Sequence, residues 1–110
     1  MGSISVVNKY HLKCAGENDF YIGRGSPLGN PYPITATMTR TAAINGYEVW
    51  LKDEIEDSNL NVIRELHRIA DRYLQGKDVR LVCFCNPKPC HGHVIRQVIL
   101  DAIATECEQR

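Results

Sequence analysis

The sequence predicts an α/β fold, a small single-domain sandwich with a short, mostly parallel sheet flanked by helices. Three observations carry that expectation. Residues 79–85 read Val-Arg-Leu-Val-Cys-Phe-Cys, nearly all apolar after Arg80, which is the pattern of a strand covered on both faces by helices. Three stretches with apolar residues at helical spacing surround that strand, and two shorter β-branched or aromatic segments precede them. No repeat, low-complexity tract or linker interrupts the 110 residues, so residues 1–110 read as one domain.

Each element follows in chain order. Residues 4–7 are β-branched and apolar apart from one serine, and read as a short, buried, central strand. Residues 20–22, Phe-Tyr-Ile, form a second extended segment that runs into residues 23–31. That stretch holds three glycines and two prolines in nine residues, which forbids a helix. From Thr41, the residues Ile44, Tyr47, Leu51 and Ile55 recur at helical spacing, with Trp50 widening the stripe. This predicts a helix to about Glu56, ended by the acidic run at 53–57. Ser58 is the expected N-cap of a second helix whose core face is Val62, Ile63, Leu66, Ile69, Ala70 and Tyr73, with Gly76 just past its end. After the strong strand, two prolines in residues 86–89 make a tight loop. Val94, Ile95, Val98, Ile99, Ala102 and Ile103 then give a last helix a broad apolar face ending near Cys107.

Composition narrows the function classes. With 44% hydrophobic and 24% charged residues the chain can bury a core, which excludes disorder and collagen-like structure. Thirteen basic residues balance thirteen acidic ones, so no broad positive field exists for indiscriminate binding to nucleic acid or an anionic membrane; a nucleic-acid contact would have to be local. Apolar runs fall short of the roughly 20 residues that span a bilayer, and the start of the sequence lacks the basic and apolar regions of a signal peptide. A cytoplasmic location is expected. Five cysteines is an odd number, and Cys83, Cys85 and Cys90 crowd together, which in a reducing compartment points to chemistry or metal rather than to a disulfide framework.

Two constellations hold the candidate site. The first joins the end of the strong strand to the start of the last helix, where Cys85, Cys90 and His91 gather. Free N–H groups at a helix start favour an anion and lower the pKa of a thiol, so Cys90 is the candidate nucleophile or thiolate, with His91 as acid, base or ligand and Cys85 beside them. Cys83 reads as core filling, and His93 stands between the two roles. A zinc site would take Cys85, Cys90, one of His91 and His93, and a fourth ligand from Cys83 or elsewhere; no second ligand pair is visible, and the cofactor is left open. Cys90 and Arg96 also share the Cys-x5-Arg spacing of phosphatase anion loops, but Val94 and Ile95 between them belong to a helix face rather than a glycine-rich cradle.

The second constellation is residues 21–32. Gly23, Gly25 and Gly29 let backbone amides approach a ligand, Arg24 offers a planar fork for phosphate or carboxylate, and Ser26 and Asn30 add neutral hydrogen-bonding groups. It is neither a P-loop nor a dinucleotide fingerprint. Neither constellation contains a carboxylate, so glycosidase-like chemistry would need Glu17 or Asp19 from the preceding loop. Arg64, Arg68 and Arg72 form a row on the second helix that, with Glu65 and Asp71, reads as a solvated face, and Tyr47 and Trp50 read as core.

At these two stretches the sequence resembles the DUF4326 family, over most of the chain from about Val6 to Ile103. The family carries a Tyr-Ile-Gly-Arg-Gly-Ser-x-x-Gly-Asn-Pro-type segment, here Tyr21 to Pro31, and a Leu-x-Cys-x-Cys-x-Pro-x-x-Cys-His-Gly-type segment, here Leu81 to Gly92. The second also looks like the DUF488 family, which has Arg where this chain has Gly92. The resemblance implies a domain found in bacteria and their viruses, with both segments as site motifs and no assigned reaction. From the residues, the expected ligand is a nucleotide, nucleoside or other phosphorylated small molecule held between the two motifs. The rival is a zinc-stabilised or structural interaction module, such as a phage protein that binds a host partner.

Overall fold

The computed structural model describes residues 2–8, 16–23, 25–31, 39–83 and 91–109, with 106–109 described by backbone alone. In chain order the elements are β1 (Ser3–Asn8), β2 (Asp19–Tyr21), α1 (Arg40–Glu56), α2 (Leu60–Leu74), β3 (Asp78–Cys83) and α3 (Gly92–Gln109). The strands form one parallel sheet in the order β1-β3-β2. Leu81 at its centre pairs with Val6 on one side and Phe20 on the other. Among the described residues no helix is long and apolar enough to cross a membrane.

β3 is central because its residues are the ones that can be covered all round: Val79, Leu81, Val82 and Cys83 are buried. The expectation that β1 is central is corrected. It lies at the edge of this sheet, Ser3 and Ser5 on it are exposed, and of its residues only Ile4 is fully buried. Arg96 of α3 reaches β1, where its Nε donates to the Ile4 carbonyl at 2.8 Å. α2 packs on β3, α3 packs on β1 and β3, and the three helices touch one another pairwise.

The helix ends follow from local chemistry. Thr39 caps α1 by accepting from the Ala42 N–H, so the helix starts at Arg40, one residue before the expected Thr41. The predicted cap of α2 moves from Ser58 to Asn59, whose side chain accepts from Asn61 and Val62. Ser58 instead closes α1 in the left-handed region at φ 60°. Its N–H goes to Ile55 and that of Asn59 to Glu54, the paired bonds that finish a helix on a left-handed residue. α3 begins at Gly92, two residues before its first apolar position.

The helix faces are narrower than the sequence pattern. α1 buries Ala43, Tyr47 and Leu51, with Ile44 and Ile55 only half-buried. α2 buries Val62, Leu66 and Ile69 but leaves Ile63 and Ala70 half-buried. α3 buries Ile95 and Ile99, while Val98 and Ile103 are partly covered and Ala102 is exposed.

One ion pair fixes the entry to β2. Arg80 donates from Nε to Asp19 Oδ1 at 2.6 Å and from a terminal nitrogen to Oδ2 at 2.7 Å, across the strand pairing that sets Asp19 beside Arg80. The Arg80 guanidinium holds the Asp19 carboxyl below its ordinary value of 3.8, against burial, which pushes it up, and with help from the Gly16 N–H. Its side chain is 3% exposed against 40% for Arg80, so the two partners are unequal. Arg80→Ala strands a buried carboxylate and should cost about 3–5 kcal/mol in urea unfolding. Asp19→Asn leaves a guanidinium that water can reach and should cost about 1.5–3 kcal/mol. Because the folded pKa is depressed, the stabilisation is complete above pH 3.8 and fades as pH falls through the folded value, a loss that Asp19→Asn should abolish. Ser58→Gly, which removes the left-handed penalty, should raise stability by up to about 1 kcal/mol in the same assay.

Candidate functional site

β2 leaves the sheet at Tyr21, and the next N–H, of Ile22, still donates to Val82 at 3.0 Å. The chain then closes on itself. The Gly23 carbonyl accepts from both the N–H (3.1 Å) and the hydroxyl (2.8 Å) of Ser26, and the Ser26 carbonyl accepts from Gly29 at 3.0 Å. A side chain at Gly29 would put its Cβ 2.6 Å from the Gly23 carbonyl oxygen, so this loop closes only with glycine there. Leu28, fully buried, pins the loop to the core.

The second motif arrives from the other side. The His91 carbonyl accepts from Val94 and Ile95 and so starts α3. Its imidazole is buried, with Nε2 2.6 Å from the Ile22 carbonyl oxygen. A carbonyl only accepts, so Nε2 carries the proton and donates. The Tyr47 ring meets the imidazole edge-on at 4.9 Å between centroids, and the Tyr47 hydroxyl donates to the Leu28 carbonyl at 2.8 Å. At Gly92 a Cβ would lie 2.9 Å from Ile22 Cδ1 and 3.0 Å from Val6 Cγ1, which is how closely the start of α3 seats on the sheet. The two motifs therefore meet at the carboxyl ends of β2 and β3, with Tyr47 of α1 touching both.

The placements of the individual residues differ in kind. Gly23, Gly25, Ser26, Gly29 and Asn30 belong to the closed loop. The Ser26 hydroxyl is engaged by Gly23, and the Asn30 amide lies 3.4 Å from the Ala43 carbonyl, a long contact that steadies the loop against α1. Arg24, Cys85 and Cys90 lie outside the described residues, as does Cys14. Cys83 is buried within the core cluster. His93 is exposed and faces a cleft between α1 and α3 with Glu48 and Gln97, turned from the His91 contact. Arg96 is engaged at Ile4 and Asp19 at Arg80, so neither stands where the phosphatase or glycosidase comparison would need it. Among the described residues no three His, Cys, Asp or Glu side chains gather in a way that could hold a metal ion.

Sequence reasoning placed Tyr47 in the core but missed its part in the site. The signal was there in its chemistry: a tyrosine expected in the core must find a partner for its hydroxyl, and here that partner is the Leu28 carbonyl of the loop.

Fold and site together define a small parallel α/β domain in which a closed glycine-rich loop is braced against the start of the last helix. The chain belongs to the family described as a domain of unknown function, DUF4326, whose model matches residues 7–101. It is similar to the "Uncharacterized 12.4 kDa protein in nrdA-td intergenic region" of Enterobacteria phage T4, at 37% identity over 94 residues, which is 86% of this chain and 75% of that protein. No solved structure matches the chain.

Burial holds the His91 imidazole below its ordinary value of 6.5, over the opposing pulls of the Ile22 carbonyl and the Cys83 sulfur. The folded protein thus binds a proton here less readily than the unfolded chain. Stability from this group is full above pH 6.5 and declines as pH falls from 6.5 toward the depressed folded value. His91→Gln should flatten that decline and cost about 1–3 kcal/mol at pH 7.5, read from urea unfolding of both proteins at pH 7.5 and 5.5.

Proposed function

We propose that this domain binds a nucleotide, nucleoside or other phosphorylated small molecule between residues 23–31 and the junction of residues 85–91, and that Cys90, aided by Cys85, supplies whatever chemistry follows. The observation that carries this reading is the contact of His91 with Ile22, which joins the two motifs at the carboxyl ends of parallel strands. Ligands of open α/β sheets bind at that end, where a helix start and loop amides favour an anion.

The roles divide accordingly. Gly23, Gly25 and Gly29 shape the loop, and Ser26 and Asn30 hold it. Arg24 is the group that grips the anion, since its fork matches a phosphate. His91 acts as a positioning residue, because its Nε2 proton is committed to Ile22. Cys90, one residue before that histidine, would be the nucleophile, its thiolate favoured by the helix start.

Calorimetric titration with inorganic phosphate and a set of nucleoside mono- and diphosphates tests the proposal. Arg24→Ala should weaken binding by about 1.5–3 kcal/mol with the melting temperature nearly unchanged, and Arg24→Lys should recover only part of it. Cys90→Ser should reduce turnover of a bound ligand more than its affinity. Unaltered affinity in Arg24→Ala, or a steep fall in its melting temperature, would remove the anion grip. One equivalent of zinc, lost with unfolding in Cys85→Ser or Cys90→Ser, would replace this reading with a zinc-stabilised interaction module.

A further inference from the structure

The apolar pattern of α2 and α3 exceeds what the chain buries, and part of the excess lines one groove. A groove of about 390 Å³ runs between the two helices, lined from α2 by Ile63, His67, Ala70 and Leu74 and from α3 by Val98 and Ile103. Leu74 is 60% exposed, a large apolar side chain left in water at the groove's end. The site described above lies elsewhere, at the strand ends, and shares none of these residues.

The α2 wall has an order that says what covers it. Ile63, His67, Ala70 and Leu74 are spaced four, three and four residues apart, so the row reads the same from either end. A second α2 laid antiparallel across it sets Ile63 against Leu74 at both ends and His67 against Ala70 at both inner positions, large on large outside and large on small inside. This spacing is that of a short antiparallel helix seam. Charge agrees with shape: Asp71, also in the groove lining, then falls beside the His67 of the other copy, and twofold symmetry makes that acid and imidazole pairing twice.

We propose that the α2/α3 groove is a self-association surface, occupied by α2 of a second copy of this chain related by a twofold axis that passes between the two α2 helices at the level of Arg68 and Ile69. The proposal stands apart from the ligand reading, since it uses no residue of that site.

Sedimentation equilibrium of the full chain tests it. The wild type should show a reversible dimer with dissociation in the micromolar range. Ala70→Glu sets a carboxylate at the inner seam, on a half-buried position of the groove wall. It should therefore sediment as a monomer while keeping the wild-type helical signal. His67→Asp places like charges together and should weaken the dimer by about tenfold or more, and the double exchange His67→Asp with Asp71→His should restore it. A wild type that stays monomeric across the micromolar range leaves the groove to some other occupant and overturns the proposal. So does a folded Ala70→Glu that dimerises as the wild type does, since the seam then lies on another face. Failure of the double exchange to recover what His67→Asp loses overturns the antiparallel register.

Discussion

The hydrogen bond from His91 to the Ile22 carbonyl is the constraint on which the candidate site depends. β2 is only three residues long, so its own ladder fixes it weakly. It is secured instead at both ends: Arg80 grips Asp19 where the strand begins, and His91 takes the backbone where it stops. Tyr47 extends the same brace to the loop beyond, through its ring on the imidazole and its hydroxyl on Leu28. Elements 69 residues apart in sequence are held in one arrangement by a few buried polar contacts, each satisfied.

That arrangement separates shape from chemistry. The Gly23 carbonyl, the Ser26 hydroxyl and the His91 Nε2 proton are all engaged within the protein. These bonds set the form of the described part of the loop from within the protein itself. Burial of the imidazole serves the same end, because a neutral ring keeps its single proton on the Ile22 carbonyl throughout the neutral range.

Much of this was legible in the sequence because it follows from local rules. The nearly continuous apolar run from Leu81 announced a strand covered on both faces, and Gly76 marked the end of α2. The glycines and prolines of residues 23–31 excluded regular structure there. What local rules could not give was the competition between neighbours. Ser58 and Asn59 are both good caps, and only the need to close α1 on a left-handed residue decided between them. Residues 4–7 look like a buried strand in isolation, yet strand order is set by which strand has the most apolar surface to hide, and β3 has more. At His91 the sequence offered a reactive or ligating imidazole. The brace it forms needed the position of Ile22, which no spacing along the chain reveals.

The seat of Arg96 on β1 also bears on how chains meet. Because the Ser3 N–H points inward to Lys77, the alternation of a strand turns the backbone groups of Ile4 outward, toward the side of β1 away from β3. A strand from another molecule would add there by taking that carbonyl. Arg96 has taken it already, and brings a charge that an incoming strand would have to strip of water. That side of β1 is thereby made a poor template for cross-strand aggregation during and after folding, which protects a small domain whose sheet has three strands among the described residues.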